Sequence, residues 1–281
     1  MASPPVLYAG LALVFGLLGG LFPIFSKVKE NPDRLKMITA IAAGILLASA
    51  MLVVIPEGIE LASSEDEHSG EVGTDEEHTG GLFLGGAILA GFIFMLILEG
   101  SGIGHAVHEE HHDHDHDHGH DHVHHGPGGW MLVIGLSLHA ATDGLAIGAA
   151  AASGSVAVTA TVALAVLFHK APAAFSLGVF SMHERQERKD SIRDVVIFSL
   201  ATPVMMILAF YSLSGLDLNL IGLAMLFSAG TFLYVATVDT LPDIHNPETG
   251  RKAMLFVLVG VILLSTLLLG ADAAGLIKHT Y

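Results

Sequence analysis

Trp130-Met-Leu-Val-Ile-Gly-Leu-Ser-Leu-His139-Ala-Ala-Thr-Asp143-Gly144-Leu-Ala-Ile-Gly148-Ala-Ala-Ala-Ala152-Ser153-Gly154-Ser155 runs directly into Val-Ala-Val-Thr-Ala-Thr-Val-Ala-Leu-Ala-Val-Leu-Phe168-His169-Lys170-Ala-Pro172. The apolar runs Trp130–Ser153 and Ser155–Met182 meet at Ser153-Gly154. About 20 apolar residues in a helix cross the roughly 30 Å hydrocarbon core of a bilayer. So short a joint allows only a turn back, which predicts an antiparallel transmembrane hairpin. Four ionisable side chains lie inside it: His139, Asp143, His169 and Lys170.

Six further runs qualify by length: Val6–Ser26, Met37–Leu61, Gly81–Gly104, Ile192–Leu213, Leu218–Asp243 and Ala253–Leu276. Composition agrees. Of the 281 residues, 52% are hydrophobic and 14% charged, where a soluble domain carries about 25% charged residues. The expected fold is an all-α integral membrane protein, a bundle of eight transmembrane helices. Val6–Ile24 has no basic residues before it and reads as the first span rather than a signal peptide. The net charge of -16 argues against nucleic acid as a partner. With no cysteine, any metal site must use His, carboxylate, carbonyl or water.

Lys and Arg collect on the cytoplasmic side of membrane proteins. Lys27, Lys29, Arg34 and Lys36 follow the first run; Arg185, Arg188, Lys189 and Arg193 the fifth; Arg251 and Lys252 the seventh. The loops after the second, fourth and sixth runs carry none. One helix more or fewer would scramble this alternation. It predicts both termini outside and the loop between the third and fourth runs in the cytoplasm. The whole chain, 1–281, then reads as one transmembrane domain with two polar insertions. Residues 57–80 form an acidic extracytoplasmic loop. Residues 105–128 form a cytoplasmic loop whose composition predicts disorder.

The second insertion carries His105, His108, His111, His112, His114, His116, His118, His120, His122, His124 and His125, interleaved with six carboxylates. Neutral imidazole is the commonest ligand for zinc-like metals. Alternating His and Asp in a flexible segment offers many interchangeable ligand sets, hence several weakly held ions. The acidic loop, with Glu57 and Glu60 at its start, either concentrates cations at an entrance or is simply solvated.

Polar groups at bilayer depth are costly and mark function by default. His139 and Asp143 are four apart and share a helix face. At about 1.5 Å rise per residue, Asp143 and His169 both lie roughly 20 Å from the cytoplasmic side, and His139 about 14 Å. Two antiparallel helices thus deliver His, Asp and His near the midplane, a candidate metal site with an open position. Water, Thr202 and a carbonyl freed by proline are candidates for the fourth ligand. Pro172 and Pro203 each remove a helical N–H, and broken helices line many transporter sites. Ala140, Gly144 and Gly148 form a small-residue stripe for close packing. Lys170 is expected to face Asp143 and neutralise part of its charge, so that the site holds one ion and not two.

These residues resemble the ZIP (ZRT/IRT-like) family. His139-Ala-Ala-Thr-Asp143-Gly144 is similar to its fourth-helix motif, His-Asn/Ser-x-x-Glu/Asp-Gly. His169-Lys170-Ala-Pro172-Ala173 is similar to its fifth-helix His-x-x-Pro-x. Val54-Ile-Pro-Glu-Gly58, His169-Lys-Ala-Pro-Ala-Ala174 and Met225-Leu-Phe-Ser-Ala-Gly-Thr-Phe-Leu-Tyr-Val-Ala-Thr237 resemble the branch that holds the ninth human paralogue. The resemblance implies a homodimer and an elevator-like movement of one helix group against another. It implies Zn(II) as the substrate entering the cytoplasm, with Fe(II), Mn(II) and Cd(II) as possible substitutes. It also implies a multi-pass protein of the plasma membrane, or the Golgi in a eukaryote. His139, Asp143 and His169 carry over as metal ligands. Asp239 matches the seventh-helix Val-Asp-x-Leu-Pro stretch near a cytoplasmic exit, with Asp243 beyond it. Ala140, Ala173 and Thr202 replace polar residues that other members use for a second ion.

Three other classes compete with this reading. A cation-diffusion exporter has six helices and a cytoplasmic C-terminal domain, whereas eight runs are present here. An intramembrane zinc enzyme needs three fixed ligands, an activated water and a separate acid or base. No HExxH motif occurs, and no spare carboxylate lies near His139 or His169 beyond Asp143. A metal-sensing receptor without transport is separable only by a transport assay.

Overall fold

The computed structural model describes residues 5–26, 32–64, 74–101, 128–185, 187–239 and 250–275. Among them the regular structure is all helical: α1 (Val6–Phe25), α2 (Pro32–Ser49), α3 (Ile55–Ser63), α4 (Thr74–Gly100), α5 (Gly128–Ala152), α6 (Val156–Glu184), α7 (Arg188–Leu213), α8 (Leu218–Tyr234) and α9 (Gly250–Ala273). A π-helical turn, Ala50–Val54, fuses α2 to α3 into one span, and another, Val235–Asp239, extends α8. This makes eight spans long and apolar enough to cross a membrane. Large apolar side chains such as Leu18, Phe22, Leu82, Phe83, Ile262 and Leu269 point outward, as lipid-facing residues do.

Two helix groups make up the bundle. In the first, α5 packs on α7, and α1 packs on both α6 and α7. In the second, α2 packs on α9, and α8 on α3 and α4. Glycine makes the packing inside each group tight. A Cβ on Gly144 would overlap the Thr202 carbonyl of α7, and one on Gly148 the Met206 carbonyl. Gly19 lies on the backbone of Ala171, Gly44 on Val257, Gly91 on Phe227 and Gly230 on Ile88. Among the described residues, every such glycine–backbone approach falls within a group and none between them. The groups meet where α5 faces α8 and α2 faces α6.

Gly144→Ala is therefore expected to cost about 1–3 kcal/mol by overpacking. Gly86→Ala, where the added methyl meets open space, is expected to be neutral or stabilising. Thermal unfolding midpoints of the two purified variants check this.

Two sequence expectations change. Helices α6 and α7 run unbroken through Pro172 and Pro203. A proline removes a single N–H, and neighbouring contacts hold each helix through it: Gly19 against Ala171, and the Thr202 hydroxyl on the Ala140 carbonyl. The irregular turns lie in the second and seventh spans instead. Helix ends also differ from the apolar runs: α4 begins at Thr74, not Gly81.

Candidate metal centre

One turn of α5 carries His139 and Asp143, with His139 Nε2 3.7 Å from Asp143 Oδ1. Helix α6 brings His169 Nε2 to 3.3 Å from the same oxygen. Ligand atoms of the three side chains lie within 4.8 Å of one another, and all three are buried.

His169 Nδ1 is 3.2 Å from the carbonyl oxygen of Ala165, one turn back. The carbonyl and the Asp143 carboxylate, 3.3 Å from Nε2, both only accept, so a neutral ring donates to one of them. With the proton on Nδ1 and donated to Ala165, Nε2 presents its lone pair as a metal ligand does. That nitrogen faces a carboxylate oxygen, and His139 adds a second ring edge. Acceptors converging in a dry interior repel one another unless a cation lies between them. Zinc ligands at about 2.0–2.1 Å in a tetrahedron stand roughly 3.3–3.4 Å apart. The spacing here needs at most small side-chain shifts to match.

Asp143 divides its two oxygens. Oδ1 faces the histidines, and Oδ2 lies 3.3 Å from Lys170 Nζ, which is fully buried. Lys170 also donates to Thr202 Oγ1 and sits 4.2 Å from the centre of the Phe198 ring. Thr202 in turn donates to Ala140 O at 2.7 Å. Its hydroxyl is thus committed on both sides, to Lys170 and to Ala140, and ties α5, α6 and α7 together.

The remaining candidates are spread out. Glu57 is buried on α3, and Asp239 closes the π-helical turn after α8. Asp243 and the histidines from His105 to His125 lie outside the described residues. Sequence reasoning missed the face of α8 that covers the site. The Phe232 ring stands edge-on to His139 and His169, 5.7 and 5.6 Å between centres. Ser228 and Thr231 hydrogen-bond to Thr142, which lies between the α5 ligands. Their spacing, i, i+3 and i+4, puts all three on one helix face. That spacing is the signal in the sequence that marks this face.

Eight apolar spans around a buried His–Asp–His cluster define a multi-pass integral membrane protein with a metal-ligand set in its interior. The model of the family described as "ZIP Zinc transporter" matches residues 3–124 and 100–268. "Zinc transporter ZIP9" of Xenopus tropicalis is 33% identical over 273 residues, 85% of this chain and 87% of the relative. The protein of that name from Micropogonias undulatus is 35% identical over 264 residues, covering 83% and 82%. "Zinc transporter ZIP2" of Homo sapiens is 27% identical over 282 residues, covering 86% and 89%. The chain belongs to the ZIP zinc-transporter family.

Proposed function

We propose that this protein carries Zn(II) across the bilayer into the cytoplasm through the His139–Asp143–His169 cluster, by alternating access. The observation that carries the reading is the convergence of two imidazoles and one carboxylate oxygen in the protein interior. Family membership and the zinc-transporter names of the relatives support the same conclusion. His and carboxylate ligands suit Zn(II), and Fe(II), Mn(II) and Cd(II) are substitutes of the same ligand chemistry.

Lys170 acts in this reading as a tethered cation. It occupies the side of Asp143 that a second metal would otherwise share, so each protomer carries one ion at a time. The group α1, α5, α6 and α7 holds the ligands. Its glycine interlocks are internal, which favours movement as a body against the other group. Alternation of basic loops supports extracytoplasmic termini, a cytoplasmic His-rich loop within 105–128 and, on the other side, an acidic stretch within 57–80 whose ends belong to α3 and α4. The family likeness supports a homodimer.

The test uses sealed vesicles that hold a zinc-sensitive dye. Wild type is expected to admit zinc, His139→Ala to admit none, and a deletion of 105–125 to retain uptake. Wild type that binds zinc but admits none would sink the transport reading. Protons compete with metal for the same lone pairs, so uptake is expected to fall below roughly pH 6. Rates that stay flat from pH 7.5 to pH 5.5 would contradict a histidine pathway.

A further inference from the structure

We propose that Ser228 and Thr231 on α8, with Ser49 at the head of the π-helical turn in the second span, form a releasable hydroxyl latch. The latch holds the ligand turn of α5 and its partner α6 in the register seen here. This rests on the transport reading above and names the positioning residues that set its resting state.

The contacts cross the boundary between the two helix groups. Ser228 Oγ donates to the Thr142 carbonyl at 2.6 Å. Thr231 Oγ1 is 2.8 Å from Thr142 Oγ1, which itself donates to His139 O at 2.7 Å. Thr142 thus couples α8 to the backbone of His139. On the other flank, Ser49 Oγ is 3.2 Å from Ala165 O, the carbonyl that orients His169. Hydroxyl contacts therefore reach the carbonyl of His139 through Thr142 and the carbonyl that partners the His169 ring. Ser49, Thr142, Ser228 and Thr231 are all buried.

Two of these hydroxyls have a second acceptor on their own helix. Thr231 Oγ1 lies 2.7 Å from Ser228 O, and Ser49 Oγ lies 2.8 Å from Ile45 O. When the groups slide, these two rotate back to their own helices and are not stranded, and Ser228, whose hydroxyl bonds the Thr142 carbonyl across the boundary, is the contact that costs most to release. A stranded donor is what makes most buried polar contacts costly to break. The boundary is therefore held by exchangeable hydrogen bonds, and the interior of each group by backbone contact at glycine. That division suits a contact made and broken in every cycle.

The chain has no cysteine, so an introduced pair is the only source of thiols. Thr39 Oγ1 and Ser176 Oγ lie 3.4 Å apart across the same boundary, between α2 and α6. The Thr39→Cys, Ser176→Cys protein in vesicles is expected to cross-link in this register, and its oxidation rate reports how often the register is occupied. Adding Ser228→Ala and Thr231→Val is expected to lower the equilibrium constant for this register about three- to ten-fold, the worth of one or two net hydrogen bonds, and to slow cross-linking by up to that factor. Thr231→Ser keeps the hydroxyl and is expected to restore the rate. Ser228→Ala alone gives a smaller slowing if the double change folds poorly. Zinc bound per protomer is expected to stay the same, with the KM for uptake shifted. Cross-linking rates unchanged by Ser228→Ala and by Thr231→Val overturn the latch. Cross-linking needs no transport, so a wild type that admits no zinc would sink the transport reading and leave this comparison standing.

Discussion

Asp143→Asn is expected to abolish zinc uptake and to lower the fold's stability by about 3–5 kcal/mol, the cost of leaving one partner of a buried ion pair alone. The two losses have different origins. Among the described residues Asp143 Oδ1 is the anionic oxygen within reach of both histidines, so an amide there removes the charge that makes the cluster a cation site. Oδ2 partners Lys170, whose ammonium is wholly enclosed between Asp143, Thr202 and the face of Phe198. Asp143→Asn strands that ammonium. Combining Asp143→Asn with Lys170→Met removes both charges and is expected to recover most of the thermal stability, because a neutral apolar replacement of a buried pair is often tolerated. It is not expected to recover uptake. A double variant that stays as unstable as Asp143→Asn would show that Lys170 is not what the aspartate holds. Lys170→Met alone leaves Asp143 with a free oxygen, and zinc bound per protomer is expected to rise from one towards two. Unchanged stoichiometry together with unchanged uptake would rule out the tethered-cation role.

Much of this could be read from the residues, for identifiable reasons. Lipid imposes one demand on every span, and a run such as Ala253–Leu276 meets it without reference to any other part of the chain. The His139–Asp143 pair was legible because helical periodicity is local. His169 was reachable by counting rise along an antiparallel neighbour. What escaped depends on partners. Gly144 and Gly19 look alike in sequence, yet one locks α5 to α7 and the other α1 to α6. Hydropathy records the thickness of the hydrocarbon slab rather than the end of a helix, so the polar start of α4 at Thr74 fell outside the run. Proline misled for the same reason: a missing N–H breaks a helix only if nothing else supports it, and support is tertiary. The π-helical turns left no mark. The partners of the Thr202 hydroxyl, Lys170 and Ala140, lie on two other helices, and no local pattern points to them.

Oxidising Thr39→Cys, Ser176→Cys is expected to stop zinc uptake completely, and reduction is expected to restore it. The two residues belong to α2 and α6, one in each helix group. If the ligand-bearing group must slide past the other to expose the cluster to each side in turn, a covalent tie between them freezes one state. Zinc binding in that state should survive, because the ligands on α5 and α6 are untouched and no thiol lies within their cluster. Binding kept and transport lost is the informative combination, since a general loss of structure would remove both. A control pair inside one group separates the two further. Gly20 and Gly178 bring the backbones of α1 and α6 together, so a tie between those helices joins parts that move as one and should leave uptake intact. If the tie between α2 and α6 left uptake at the wild-type rate, the groups would not be moving past each other there. Passage would then have to occur through side-chain rearrangement at the cluster itself, with Phe232 as the group best placed to give way.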